Sequence, residues 1–426
     1  MQGIGRPAML PNGLGRRHRI ESTFTSGDAP DHRERRHSAE HLMPSQAPNL
    51  TTMLEGLIGT LSVSSVTPAF DHSNRAVIDL LASWLESAGF RVEILALPGQ
   101  PDKANLLATL GSGPGGLVLS GHTDTVPFDA HLWTYNPLKL TETEGRLYGL
   151  GTSDMKSFLA LAIEAARGLT ATDLAQPLMI LATADEESAM HGARALVEAG
   201  RPLGRYAVIG EPTGLRPVRL HKGVMGEAIR LVGRSGHASD PSLGNNALDG
   251  MYEVMGALMA WRSELANSYR HPDFKIPHPT LNLGHIHGGD NPNRICGECE
   301  LHVDMRLLPG LSATDVRAEL SRRVATVADR RELAWSVEPL FEAIPPAETP
   351  AGSAIVCVAE GLTGHTAEAV NFGTEAPFLN QLGMETIVLG PGDIAQAHQP
   401  DEYLELDRIK PTLDLLRALI QRFCLR

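Results

Sequence analysis

A chain of 426 residues exceeds what one ordinary hydrophobic core serves and fits two domains. Its formal net charge of −13 weighs against a nucleic-acid or anionic-membrane partner, since both attract basic surfaces. No stretch approaches the roughly 18 uninterrupted apolar residues of a membrane span.

Residues 1–46 carry Arg16, Arg17, Arg19 and the run Arg33-Glu34-Arg35-Arg36 among scattered Gly and Pro. They contain no apolar run of the secretory-signal kind, and their Asp and Glu argue against a transit peptide. The composition reads as a disordered extension, or as sequence ahead of a true start at Met43. Apolar residues at helical spacing then predict a helix over 76–87, stopped near Gly89. Strands are expected at 90–97, 105–110 and 117–120. Between the last two, Gly111, Gly113 and Gly116 match the spacing of a dinucleotide fingerprint, but they lead into a strand instead of a helix, so they read as a hairpin loop.

A helix is expected over 155–169. Short apolar runs at 178–183 and 206–209 flank a helix at 189–199, and strand-helix-strand alternation implies a largely parallel sheet covered by helices. After Glu211-Pro212-Thr213 the texture changes. Strands of antiparallel type at 220–232 and 294–306 accompany helices at 246–265 and 313–330. The strand 386–389 and helix 409–423 return to the first type. The chain therefore divides at 1–46, 47–218, 219–336 and 337–426, the third segment an α+β insertion into an α/β domain. Of the four cysteines, Cys296 and Cys299 fall on one expected strand, where positions three apart face opposite ways, so the pair does not read as a metal site. Sparse, unpaired cysteines suit a reducing compartment.

The chemistry lies at the strand ends. The run at 117–121 leads into His122 and Asp124, the run at 178–184 into Asp185, Glu186 and Glu187, and the run at 206–210 into Glu211. The last expected strand leads through a Gly/Pro loop to His398, and Asp154 sits in a loop that opens a helix. In an open α/β sheet the carboxyl ends of the strands converge on one crevice. Singly, each residue has an ordinary explanation, a solvated loop acid or a hydrogen-bonded surface His. Together they crowd carboxylates whose repulsion is relieved by cations, and two His with three carboxylates suit a pair of borderline divalent ions.

The segments GHTDTVP (121–127), GLGTSDMK (149–156), ADEES (184–188), IGEPT (209–213) and AHQPDEY (397–403) resemble the metal-site motifs of the dinuclear-zinc aminoacylase and acetylornithine deacetylase family, from about Leu54 to the C-terminus. LHKG (220–223), residues 280–310 and NFGTEAPF (371–378) are most similar to its acetylornithine-hydrolysing branch. The resemblance implies a hydrolase-type α/β catalytic domain with a mixed, mostly parallel sheet in two parts (47–218 and 337–426), and a ferredoxin-like dimerisation lid at 219–336. It implies two divalent ions, Zn first and Co or Mn as substitutes. His122, Asp154, Glu187, Glu211 and His398 would bind them, Asp154 bridging. Asp124 would bond the far nitrogen of His122, and Glu186 would be the general base. By the same resemblance His237 reaches a neighbouring active site of a homodimer, Asn293 and Arg294 clamp the substrate carboxylate, and Thr374 and Glu375 lie on a loop that closes on the substrate.

The implied activity is cytoplasmic deacetylation of N2-acetyl-L-ornithine to ornithine and acetate, a step of arginine biosynthesis. Related N-acyl amino acids, as for an N-acetylcitrulline deacetylase, a succinyl-diaminopimelate desuccinylase or a broad aminoacylase, are the nearest alternatives. Dipeptides are another, because a peptide presents the same carbonyl. A metal-free binding protein on the same fold is the reading from another class, and it would have lost a ligand or the base.

Overall fold

The computed structural model describes residues 47–426, and the expected N-terminal extension lies outside them. Helix α1 (Leu50–Gly59) is capped by Asn49, which accepts the Thr52 amide at 2.9 Å, and α2 (Arg75–Ser87) follows. Strands β1 (Arg91–Leu97), β2 (Gln100–Leu110), β3 (Leu117–His122), β4 (Thr141–Thr143) and β5 (Arg146–Tyr148) precede helix α3 (Lys156–Ala165). Then come β6 (Leu178–Thr183), α4 (His191–Glu198), β7 (Tyr206–Pro212) and β8 (Val218–His221). The middle of the chain forms β9 (Gly223–Val232), α5 (Ala247–Ser268), β10 (Thr280–Gly288), β11 (Glu298–Leu307), α6 (Ala313–Arg330) and β12 (Ala334–Pro339). The last part holds β13 (Ala347–Glu348), α7 (Ala354–Thr363), β14 (Glu368–Val370), α8 (Ala376–Gln381), β15 (Glu385–Gly390), β16 (Tyr403–Glu405) and α9 (Ile409–Phe423).

The large sheet runs β1-β2-β6-β3-β7-β15-β8-β13, with β14 beside β8. Its centre, β6-β3-β7-β15, is parallel, while β1, β2 and β13 pair antiparallel, so the sheet is mixed with its parallel part in the middle. Period-two alternation decides which layer each side chain meets. Leu117 and Leu119, Leu178 and Ile180, and Tyr206 and Val208 face the core shared with α1, α2, α3, α7 and α9. Val118, Met179, Leu181, Ala207 and Ile209 face the opposite core, with Leu196 of α4 and Leu379 of α8. These strands are buried on both faces, which is why they read as unbroken apolar runs.

The glycine segment 111–116 is not a hairpin, because β6 lies between β2 and β3. The loop instead crosses the start of β6, where the Leu117 amide donates to the Pro177 carbonyl at 3.1 Å. Gly116 has φ +87°, and a Cβ there would stand 2.0 Å from the Pro177 oxygen, so only glycine fits. The stretch 220–232 is likewise two strands, not one. It breaks at Lys222, with β8 in the large sheet and β9 in a second one.

That second sheet is antiparallel, ordered β10-β11-β9-β12. With α5 and α6 on one face it follows the βαββαβ succession of a ferredoxin-like unit. Asn246 caps α5 and Ser312 caps α6 through their side chains. The two helices close a separate core over Met225, Ile229, Leu301, Val303 and Met305. Strand β11 starts at Glu298, so Cys296 precedes it, and the opposite-face argument does not apply to that residue. Both thiols are buried in this second core, and burial pushes Cys299 up to about 11, which makes it an unreactive core thiol.

Candidate metal centre

Five chain segments, the loop after β15 with His398 among them, deliver acidic and imidazole groups to the carboxyl end of the parallel strands. His122 closes β3, Glu211 lies near the end of β7, Glu186 and Glu187 follow β6, and Asp154 sits just before α3. His122 Nε2 is 3.1 Å from Asp154 Oδ1 and 3.9 Å from Glu211 Oε2. On the other side of Asp154, His398 Nε2 lies 3.6 Å from its second oxygen and 3.0 Å from Glu187. Donor atoms of His122, Glu186 and Glu211 fall within 4.8 Å of one another, and so do those of His122, Asp154 and Glu187. The structure therefore brings all five expected metal ligands together, with Asp154 between the two histidines.

The electrostatics follow from this crowding. Burial works against a charged imidazole at His122, yet the carboxylates of Asp154, Glu211 and Asp124 outweigh it and hold its pKa well above the ordinary value. Burial, then the neighbouring Asp154 charge, raises Glu211 well above the carboxylate range. Desolvation, then Glu211, does the same to Glu186. His398 is raised to about 9, first by its hydrogen bond with Glu187. Protein groups alone cannot let all these acids ionise, and among the described residues Glu211 Oε1 is buried without a hydrogen-bond partner. A His/carboxylate donor set with an orphaned buried oxygen fits borderline divalent cations.

Asp124 differs from expectation. The far nitrogen of His122, Nδ1, bonds the backbone carbonyl of Asp124 at 3.0 Å, whereas the carboxylate stands 3.6 Å from it. That carboxylate instead accepts the backbone amides of Glu186 at 3.3 Å and Glu187 at 3.1 Å. A carboxylate prefers two convergent N–H donors to one imidazole already satisfied by a carbonyl. Among the described residues the Glu186 carboxylate accepts no hydrogen bond, while Glu187 is tied to His398.

Thr374 and Glu375 are not on an exposed closing loop. They are 0% and 1% exposed at the start of α8, where Thr374 Oγ1 accepts the Ala376 amide at 3.1 Å. Thr183 donates to one oxygen of Glu375 at 2.9 Å, and burial raises its carboxyl to about 7. Glu375 is thus a buried acid, and its other oxygen, Oε1, has no hydrogen-bond partner among the described residues.

His237, Asn293 and Arg294 form a second group, in the loops that follow β9 and precede β11. His237 and Arg294 face each other across an isolated bridge, and the Ala238 amide donates to the Asn293 carbonyl at 2.9 Å. Ser239 Oγ is 2.7 Å from His237 Nδ1, and Arg294 pairs with Asp290 at 2.5 Å. Arg294 lines a cavity of about 470 Å³ that contains none of the metal-cluster residues. No hydrogen bond or ion pair among the described residues joins this group to the cluster.

Two supporting roles escaped the sequence reading although both residues lie inside quoted motifs. Glu402, in AHQPDEY, accepts the amides of Gly151, Ser153 and Asp154 at 3.0, 2.7 and 2.9 Å, so it shapes the loop that presents Asp154. Asp185, in ADEES, binds Lys103 from β2. Neither Glu402 nor Lys103 carried a sequence signal for these contacts, since their partners are distant in the chain.

An α/β sheet with an inserted ferredoxin-like unit and a two-sided His/carboxylate cluster defines a class of metal-dependent hydrolases. The chain belongs to peptidase family M20/M25/M40, whose model matches residues 118–422. It is 51% identical over 377 residues to an acetylornithine deacetylase of Pasteurella multocida, covering 88% of this chain and 98% of that one. It is 48% identical over 382 residues to an acetylornithine deacetylase of Pectobacterium atrosepticum, covering 90% of this chain and 100% of that one. Its fold is similar to that of an M20 family metallo-carboxypeptidase from Sulfolobus solfataricus, with a TM-score of 0.69 at 16% identity over 88% of this chain and 99% of that one.

Proposed function

We propose that the chain hydrolyses the acetyl amide of N2-acetyl-L-ornithine, with two divalent metal ions held by His122, Asp154, Glu187, Glu211 and His398. The observation that carries the reaction class is the pair of donor clusters that share His122, one of which includes Glu186, whose carboxylate accepts no hydrogen bond among the described residues. The substrate rests on relatives about half identical over nearly their whole length, named acetylornithine deacetylase. Bound at this cluster, two such ions polarise an amide carbonyl and lower the pKa of water toward neutrality. Zn suits the donors best, and Co or Mn can replace it.

Glu186 takes the proton of the attacking water and passes it to the amide nitrogen, so that the C–N bond breaks to the amine and acetic acid, whose remaining proton passes to the amine or to solvent at neutral pH to leave acetate. Its raised pKa, from desolvation and then Glu211, suits a carboxyl that must hold that proton between the two transfers. Asp124 fixes the Glu186 and Glu187 backbone. Arg294 grips the α-carboxylate in bidentate fashion with Asn293 beside it, and His237 donates to the developing oxyanion.

His237 is read as coming from the second subunit of a homodimer. Two features support an interface on the smaller sheet. Leu248, Tyr252 and Met259 form an exposed apolar stripe along α5, and β10 is an edge strand with Ile286 exposed. Among the described residues no helix is long and apolar enough to cross a membrane. The four cysteines are free, which favours a reducing, cytoplasmic setting.

The test is kcat/KM of Zn- or Co-loaded protein on N2-acetyl-L-ornithine, N-acetylcitrulline, N-acetylmethionine and N-succinyl-diaminopimelate. Preference for the first, lost on chelation, is the expected result. Preference for another keeps the reaction and changes the substrate; no turnover by metal-loaded protein sinks the reading.

A further inference from the structure

Among the described residues the carboxylate of Glu186 has no hydrogen bond to orient it, so its aim depends on the backbone that carries it. That backbone is pinned from two sides. On the cleft side Asp124 accepts the amides of Glu186 and Glu187. On the far side the preceding residue, Asp185, sits in the left-handed region at φ 61°, a conformation unusual for a non-glycine residue.

The Asp185 side chain is 3% exposed, and both of its oxygens are engaged. One accepts from Lys103 Nζ and Ser64 Oγ, and the other lies 3.0 Å from His191 Nδ1. The Asp185 carbonyl accepts the Met190 amide at 2.6 Å, closing the loop on itself. Lys103, 7% exposed, also pairs with Asp71 at 2.6 Å. A lysine this buried is rare unless paired, and here it ties β2 to the loop before α2 and to the loop that carries Glu186.

Building on the reading of Glu186 as the proton carrier, we propose that Lys103, acting through Asp185, is a positioning residue for Glu186. Fixing both oxygens of Asp185 fixes its Cα in the left-handed turn, and the next peptide then presents its N–H to Asp124 and its side chain to the cleft. Without the Lys103 cation, the buried Asp185 faces the partly exposed Asp71 with no positive charge of Lys103 between them, and like charges loosen the turn. Proton transfer is sensitive to misplacement of this kind, whereas the ligands on the other strands keep their places.

The test uses the full, metal-loaded chain. Lys103→Met is expected to lower kcat on N2-acetyl-L-ornithine roughly ten- to a hundredfold, with KM and bound metal within about twofold of wild type. Lys103→Arg, which keeps the charge, recovers most of the loss. In a Glu186→Asp background, where the carboxylate is already misplaced, Lys103→Met adds less than about threefold, because both changes act on one step. Wild-type kcat in Lys103→Met, or an undiminished loss in the Glu186→Asp background, overturns the inference. If Lys103→Met does not fold, Asp185→Asn, which keeps shape and tolerance of the left-handed turn, carries the same comparison. Hydrogen exchange at the Glu186 and Glu187 amides reads the anchor without turnover. Acceleration in the variant supports the inference and unchanged exchange overturns it, even if the wild-type chain hydrolyses none of the acylated amino acids, a result that sinks the proposed function alone.

Discussion

His398 Nε2 stands 3.0 Å from a carboxylate oxygen of Glu187, although 211 residues separate them in the chain. The hydrogen bond that His398 donates to Glu187 is the first reason the imidazole pKa reaches about 9, so at neutral pH His398 carries a proton. A metal needs the lone pair that this proton occupies. Metal binding therefore releases it, and affinity rises with pH until about 9, by roughly tenfold per unit for one proton. Calorimetric titration with Zn from pH 6.5 to 8.5 reads the slope, and His398→Gln should reduce it by about one proton. An unchanged slope in the variant would remove His398 from the ligand set.

Glu186→Gln keeps the size of the side chain and removes its capacity to carry a proton. Since the carboxylate accepts no hydrogen bond among the described residues, the substitution disturbs little else. The expected result is a kcat lower by about 10²–10⁴, with metal content and KM near wild type. A variant within about tenfold of wild type would show that another group moves the proton.

Glu402 places three amides of the Asp154 loop on one carboxylate. Glutamine offers one acceptor oxygen and turns its NH₂ toward the remaining donors, so Glu402→Gln should weaken metal binding roughly 10- to 100-fold. Burial also raises the Glu402 carboxyl from 4.5 to about 8. Its folded pKa lies above its unfolded one, so between those values the folded state holds a proton that the unfolded state has lost. Stability of the metal-free chain accordingly falls as pH rises through that window, and Glu402→Gln should flatten the fall. Urea denaturation at pH 5 and pH 8 compares the two chains.

How much of this was legible in the sequence depends on range. His122, Glu211 and the Glu186–Glu187 pair could be placed because buried parallel strands announce themselves as short apolar runs, and their ends share one crevice. The glycine segment misled because local pattern cannot reveal that β6, formed some sixty residues later, inserts between β2 and β3. Lys222 was invisible as a boundary for a similar reason, since β8 and β9 look like one strand until their partners are known. Lys103 and Glu402 went unassigned because charged residues in polar stretches are ordinarily solvated. Only the tertiary fold shows that they are buried against amides and carboxylates. Glu375 was placed on a closing loop by resemblance, when its neighbours Ala376, Pro377, Phe378 and Leu379 already marked a buried helix start.

The separation of His237 from the metal cluster within one chain leads to a test of subunit sharing. If His237 completes the site of the other subunit, His237→Ala and Glu186→Gln are each nearly inactive as pure dimers, with full metal content. Mixing the two by unfolding and refolding at equal amounts gives half mixed dimers by chance. In each of these, the subunit with an intact Glu186 faces a partner with an intact His237, so one of two sites is whole. Activity should return to about a quarter of wild type for a twofold-symmetric dimer. If His237 instead serves its own chain, each subunit of the mixed dimer keeps one defect, and mixing restores nothing. Recovery thus separates donation across the interface from closure of the smaller sheet onto its own catalytic domain, a distinction that the loss of activity in either single variant cannot make.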